Sequence, residues 1–99
     1  MHNTPQTKKL SLYHYQSCPY CGITREALKH LDLEVEQRDI LREPKFRQEL
    51  IEGGGKTQVP CLRIEHDNGT IKWLYESSDI IRYLRNSAVQ KNSPAVQPA

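Results

Sequence analysis

Cys18 and Cys21 stand three positions apart in "QSCPYCG", residues 16–22, with Pro19 directly after the first thiol. Cysteines at that spacing can clamp a metal, close a structural disulfide, or work as a redox pair in which one thiol attacks and the other resolves. A structural zinc site needs four ligands, usually from two such pairs. The remaining candidates, His14, His30 and Cys61, are scattered and lack the spacing of a second half-site. A disulfide across so short a loop restrains the unfolded chain little, and reducing surroundings would open it. The redox alternative requires that the first thiol sit where its anion is favoured.

The flanking elements can provide that setting. From Leu10, "LSLYHY" alternates, with Leu10 and Leu12 to one side and β-favouring tyrosines nearby, and predicts a first strand. "CPYCGITREALKHL" turns helical, with Ile23, Ala27, Leu28 and Leu31 as its apolar stripe. Pro19 suits the first helical position, where its missing N–H is no loss, so Cys18 falls at the cap. A helix N-terminus offers unpaired N–H groups and the positive end of its dipole. Both favour the thiolate, which is the nucleophile. The spacing puts Cys21 on the same helical face. Cys18 is therefore expected as an exposed attacking thiol and Cys21, one turn in, as a more buried resolving thiol.

Further along, "LEVEQRDI" alternates again, with Leu33 and Val35 toward the core, and predicts a second strand. "EPKFRQELIEGGG" predicts a helix with Phe46, Leu50 and Ile51 on one face, ended by Gly53 to Gly55. "VPCLRIEHDNGTIKWLYE" splits into two strands at Asp67-Asn68-Gly69, a hairpin signal because Asn and Gly both tolerate positive φ. "SSDIIRYLR" closes with a helix capped by Ser77 or Ser78, its apolar side made of Ile80, Ile81 and Leu84. The order β-α-β-α-β-β-α predicts an α/β fold: a four-stranded mixed sheet flanked by three helices, with a parallel first pair and an antiparallel last pair. Residues 1–8 are expected as a flexible lead, 9–86 as the domain, and 87–99 as a disordered tail.

At 99 residues the chain has the length of one small domain. Its 14 basic and 12 acidic residues leave a net charge of +2, too weak a bias to propose nucleic acid or a membrane surface as partner. The first residues lack the apolar core of a signal peptide and no run is long enough for a membrane span, so the cytoplasm is the default location. Three cysteines do not make a secreted disulfide scaffold.

"QVP" at residues 58–60 adds a second element. A Val-Pro can simply open an edge strand. Beside a CxxC helix, a cis bond before Pro60 would turn the preceding backbone toward Cys18, where an extended disulfide-bearing peptide could pair with it. Together these segments resemble a glutaredoxin of the thioredoxin-like superfamily, over about Leu10 to Leu84. "SCPYC" is similar to that family's dithiol motif and "KTQVP" to its cis-proline segment. "LYESSDIIRYL" departs from the usual Gly-Gly-x-Asp-Asp stretch and resembles the Glu-Ser segment of glutathione transferase N-terminal domains. The resemblance implies a thioredoxin-like fold and a glutathione site built from Cys18, Tyr20, Gln58, Val59, Pro60, Glu76 and Ser77, with Ser78 a lesser member. Many glutaredoxins carry a lysine where this chain has Tyr15; Lys56, or Arg47, would then hold the glycyl carboxylate. A helix cap and a ligand can share one helix N-terminus, so "ESSD" can serve both.

The resemblance implies a monomeric thiol–disulfide oxidoreductase with no tightly bound cofactor and no metal. It would use glutathione as co-substrate and act on disulfide-containing or glutathionylated proteins. Three rivals stand beside it: a dimer bridging an iron–sulfur cluster through Cys18 and two glutathiones, a transferase-like domain, and a thioredoxin-type reductant. The Pro19-Tyr20 pair and the "ESS" segment favour the glutathione-dependent enzyme, and the lack of a helical C-terminal domain in these residues speaks against the transferase. Cys61 is expected as a small packing residue in the third strand, since burial keeps a thiol protonated. Tyr13, Trp73 and Tyr83 are expected in packing rather than in a binding platform.

Overall fold

The computed structural model describes residues 7–92. β1 (Thr7–His14), α1 (Pro19–Lys29), β2 (Glu36–Asp39), α2 (Pro44–Glu49), β3 (Cys61–His66), β4 (Ile71–Leu74) and α3 (Ser77–Asn92) follow in that order. The strands form one sheet in the order β2-β1-β3-β4. β1 runs parallel to β2 and antiparallel to β3, and β3 is antiparallel to β4. This is the four-stranded mixed sheet expected from the element order, and the thioredoxin-like α/β fold that the resemblance implies. Among the described residues no helix is long and apolar enough to cross a membrane.

The period-2 alternation of β1 and β3 sorts their side chains into two cores. Leu10 pairs with Ile64 and Leu12 with Leu62. These four join Leu28 of α1 and Ile80 and Leu84 of α3 in one cluster. Tyr13 pairs with Cys61 and points the other way, into a cluster with Ile40 and Leu50. Tyr15, Phe46, Val59, Trp73 and Tyr75 pack around that second cluster. Arg38 ties this face together. Its Nη1 donates to the Tyr13 hydroxyl at 2.7 Å and to Glu49 Oε1 at 3.0 Å, and the Tyr13 hydroxyl donates to Glu49 at 2.9 Å. The guanidinium also lies 5.5 Å from the ring centres of Tyr13 and Phe46. α2 is six residues long, too short to be stable alone, so these contacts and Leu50 anchor it to the sheet.

Several boundaries depart from the sequence expectations. β1 starts at Thr7, inside the expected lead, because β3 extends far enough for Thr7 to pair with His66. α3 runs to Asn92, past the expected end at Arg85, since Ala88 continues the buried stripe of Ile80 and Leu84 and Pro94 is the first breaker. Residues 1–6 of the expected lead and 93–99 of the expected tail lie outside the described residues. On α1 the buried face is Cys21, Thr24 and Leu28; Ile23 is 53% exposed. The helix is rotated so that Ile23 and Ala27 line a groove against Ile81 and Arg85 of α3 instead of entering the core. The hairpin bends on a turn closed by Gly69 N–H to His66 O at 3.0 Å, with Gly69 alone, not Asn68, at positive φ. Asn68 contributes its side chain, which accepts the Thr70 N–H at 3.0 Å.

Gly53 and Gly55 do separate jobs. α2 widens into a π turn over Leu50–Gly54, so the helical path does not stop at Gly53. Gly55, at φ 91°, ends it in the left-handed region. Gly53 lies against the indole of Trp73, where an added Cβ would overlap the ring. Alanine gains about 1 kcal/mol of helical preference over glycine, whereas overpacking costs about 1–3 kcal/mol. Trp73 is itself wedged between Tyr13, 5.6 Å away, and Arg63, so overpacking should dominate. Gly53→Ala is expected to lower stability to urea by about 1–2 kcal/mol; equal or greater stability would show that the indole can move freely.

His14, at the end of β1, is buried, and its Nδ1 lies 3.0 Å from Arg25 Nη1. A guanidinium only donates, so Nδ1 accepts and the neutral ring carries its proton on Nε2. Burial lowers the His14 pKa from its ordinary 6.5, Arg25 lowers it further, and Asp39 opposes them. Below about pH 6.5 the unfolded chain takes up this proton first, so folding stability falls with acidification toward the lower folded value. Urea titrations between pH 7.5 and 5 (about the histidine range) should show that decline, and His14→Asn should flatten it. An identical pH slope in the variant would contradict the assignment.

Candidate active site

The site starts at the junction of β1 and α1. Cys18 adopts an extended backbone (φ −77°, ψ 119°) as the N-cap of α1, and Pro19 opens the helix. The Cys18 N–H donates to Tyr15 O at 3.2 Å, and Gly22 N–H donates to Cys18 O at 2.9 Å. The Cys18 sulfur accepts the Cys21 N–H at 3.2 Å. The sulfur thus takes the place that a serine or aspartate oxygen holds at an ordinary N-cap, satisfying one of the helix's orphan donors. The expected cap position is met, but the expected exposure is not. Cys18 is only 7% exposed, because its side chain folds back over the first helical turn to reach that N–H. Cys21 is fully buried, so the order of the two thiols survives. Exposed Ser17, Pro19 and Tyr20 flank Cys18, with Tyr20 63% exposed.

Cys21 and Cys18 are both free thiols. Burial, then the hydrogen bond with Cys18, push the Cys21 thiol up to about 12; the Tyr15 backbone and Arg25 pull the other way. A thiol in that environment stays protonated in the reduced chain. Arg25 lies one helical turn beyond Cys21. Besides its contact with His14, it donates to Tyr15 O at 3.3 Å and to Gln16 O at 3.1 Å. The sequence reading passed over Arg25, although its i+4 spacing from Cys21 put it on the same helical face.

The Val59–Pro60 peptide is cis, as "QVP" suggested. Pro60 is buried, Val59 is half-buried and Gln58 is exposed. Val59 packs into the cluster that also takes Tyr15, whose carbonyl holds the Cys18 N–H. One apolar cluster therefore joins the loop before the CxxC helix to the cis-proline segment. Lys56 reaches the same region: its Nζ lies 4.5 Å from the Tyr75 ring centre. Arg47, the alternative cation, is on the exposed side of α2. Cys61 is fully buried, and burial pushes its thiol up to about 12, so it behaves as the expected packing residue. Tyr13, Trp73 and Tyr83 likewise pack within the two clusters.

Glu76 has φ 70°, and among the described residues it is the non-glycine at positive φ. The backbone turns sharply there and α3 begins at Ser77. The carbonyl of Glu76 accepts the Ile80 N–H at 3.0 Å. The capping position is therefore Glu76, one residue before the expected Ser77 or Ser78. Those serines occupy the first helical turn, Ser77 half-buried and Ser78 exposed, beside backbone N–H groups that a carboxylate can use. A left-handed glutamate costs about 1 kcal/mol or more and is a feature found at ligand clamps. Among the described residues no group of three His, Cys, Asp or Glu side chains is placed to hold a metal ion.

A comparison with curated proteins returned no match. Among solved structures, the thioredoxin-like protein BC3987 superimposes with a TM-score of 0.61 at 24% identity, over 77% of this chain and 100% of that one. A maleylacetoacetate isomerase from Anaeromyxobacter dehalogenans 2CP-1 gives a TM-score of 0.61 at 27% identity, covering 95% of this chain and 41% of the isomerase. A glutathione transferase homologue from Sulfitobacter with bound glutathione gives 0.61 at 18% identity, over 91% of this chain and 42% of that one. The chain thus spans about two fifths of the isomerase and transferase chains. Residues 12–92 match the model of the glutathione S-transferase N-terminal domain, a span that takes in the CxxC helix, the cis-proline segment and the Glu76-Ser77 turn; the chain belongs to that family.

Proposed function

We propose that the chain is a glutathione-dependent thiol–disulfide oxidoreductase of the glutaredoxin type, acting on protein disulfides and protein–glutathione mixed disulfides. The observation that carries this is the Cys18 sulfur held as the N-cap of α1, with a second free thiol one turn inside. A transferase or isomerase that only binds glutathione has no need of a second, buried thiol beside the first. Cys18 attacks the glutathionyl sulfur of a mixed disulfide; the Cys18–glutathione bond forms and the substrate thiolate leaves and takes a proton. A second glutathione thiolate then attacks the same glutathionyl sulfur, releasing oxidised glutathione and returning Cys18. For a protein disulfide, Cys21 resolves the intermediate instead.

The family match and the left-handed Glu76 support glutathione as the co-substrate. In this proposal Glu76, Ser77 and Ser78 receive its γ-glutamyl end, the Gln58-Val59-Pro60 edge pairs with its backbone, and Lys56 meets its glycyl carboxylate. Tyr20, exposed beside Cys18, covers the cysteinyl portion. The isomerase reading rests on a likeness of 27% identity.

Assaying Cys18→Ser and Cys21→Ser on both substrate types separates these readings. Cys18→Ser should lose all activity, since a hydroxyl here cannot attack a disulfide. Cys21→Ser should keep deglutathionylation and lose most reduction of an intramolecular disulfide. Turnover should be sustained by glutathione with glutathione reductase. Turnover sustained by thioredoxin reductase alone, or a Cys21→Ser variant as inactive on glutathionylated substrate as Cys18→Ser, would overturn the proposal.

A further inference from the structure

One guanidinium holds the segment that carries the attacking thiol. Arg25 Nη1 contacts His14 Nδ1 at 3.0 Å and Tyr15 O at 3.3 Å, and Nη2 donates to Gln16 O at 3.1 Å. These are three consecutive residues, from the last of β1 into the loop before the CxxC motif. Tyr15 O is shared: it also accepts the Cys18 N–H at 3.2 Å. A planar fork of donors fits such a convergent set of acceptors, whereas a lysine ammonium could meet them only in part. We infer that Arg25 is a positioning residue for the resolving half of thiol exchange, fixing the loop that presents Cys18 and placing a permanent positive charge beside the thiolate that forms on Cys21.

The inference rests on the proposed use of Cys18 and Cys21 but adds a residue and a role to it. When Cys18 carries glutathione, Cys21 gives its proton to solvent and its sulfur attacks Cys18 Sγ. The Cys18–Cys21 bond forms as the Cys18–glutathione bond breaks, and the departing glutathione thiolate takes a proton from solvent. One disulfide replaces another, so no outside oxidant or reductant is needed. The negative charge passes through Cys21. Arg25 stands one helical turn beyond it on the same face of α1, with its guanidinium on the Tyr15 and Gln16 carbonyls, and in the reduced chain burial, Cys18, the Tyr15 backbone and Arg25 all act on the Cys21 charge. In the mixed disulfide the Cys18 sulfur has no proton to lose, which leaves Arg25 as the charged group of that set. His14 of β1 faces Arg25 in turn, and Asp39 of β2 faces His14. This is a different cation from either lysine or arginine proposed for the glutathione carboxylate, and it approaches from within α1.

The test forms the Cys18–glutathione mixed disulfide chemically with oxidised glutathione. It then follows closure of the Cys18–Cys21 bond in single turnover by mass spectrometry, from pH 6 to 9 (about the range in which thiol exchange is readily timed). Arg25→Gln should slow closure about tenfold at neutral pH, as loss of a charged hydrogen-bonding group predicts, and should move the pH dependence upward. Arg25→Lys keeps the charge and loses the fork, so it should retain the wild-type pH dependence while closing more slowly. His14→Asn in the Arg25→Gln background should leave the upward shift in place. A purely structural role would slow closure equally at every pH, with no rescue of the profile by lysine. That result, or wild-type closure in both Arg25 variants, would overturn the inference. Should Arg25→Gln fail to fold by circular dichroism, wild-type closure in Arg25→Lys would still overturn it. Because closure needs no reductase-coupled turnover, a chain that shows the Arg25 effect but fails the glutathione assay would sink the proposed function and keep this inference.

Discussion

The contact between the Cys21 N–H and the Cys18 sulfur, 3.2 Å across the first turn of α1, sets what this chain can do. A helix N-terminus must satisfy donors that the helix itself cannot reach. Here a sulfur does it, so the atom that stabilises the helix end is also the one proposed to react. The rest of the molecule is arranged to hold that sulfur in place. β1 brings the chain to the point of departure, Pro19 starts the helix, and Tyr15 O and Arg25 fix the intervening loop. Cys21 and Leu28 then bury one face of α1 beneath the cap.

The two cores divide the labour. The cluster of Leu10, Leu12, Leu28, Leu62, Ile64, Ile80 and Leu84 makes the sheet and two helices one body. The cluster around Tyr13, Ile40, Leu50 and Cys61 is smaller and rimmed by polar contacts, and it is the one that touches the site through Tyr15 and Val59. The Arg38–Tyr13–Glu49 contacts and the close approach of Gly53 to Trp73 keep that rim tight. The buried Tyr75 hydroxyl has no partner with good hydrogen-bonding geometry among the described residues, and burial pushes its pKa up to about 12. It lies against Gly54 and beneath the Lys56 ammonium, at the edge of the proposed carboxylate site.

Much of this was legible in the residues. Alternation in "LSLYHY" and the Pro after Cys18 placed strand, cap and helix correctly, because those signals are local. The cis bond at Val59–Pro60 was readable from a segment with a family likeness, whereas the cap at Glu76 fell one residue before the expected serines. What was not legible depends on tertiary packing. The face of α1 was misjudged because Ile23 is more hydrophobic than Thr24, yet Thr24 is the one buried, its hydroxyl satisfied by Tyr20 O at 3.0 Å, which leaves Ile23 outside. The exposure of Cys18 was misjudged because a cap thiol folds back on its own helix. Arg25 was missed because, although its spacing put it on the face of Cys21, its partners are two loop carbonyls and the histidine that ends β1, contacts that no pattern in the sequence announces. The extension of α3 depended on Ala88 finding a place in the core, which hydropathy alone did not signal.

The central claim is that Cys18 is the thiol that receives the transferred group. The direct measurement is to mix the reduced Cys21→Ser chain with a glutathionylated peptide, quench with acid, and map the adduct by peptide mass spectrometry. Glutathione should be found on Cys18, and buried Cys61 should remain unmodified. An adduct found on Cys61, or none anywhere while the peptide stays glutathionylated, would contradict the account of Cys18 as the attacking thiol.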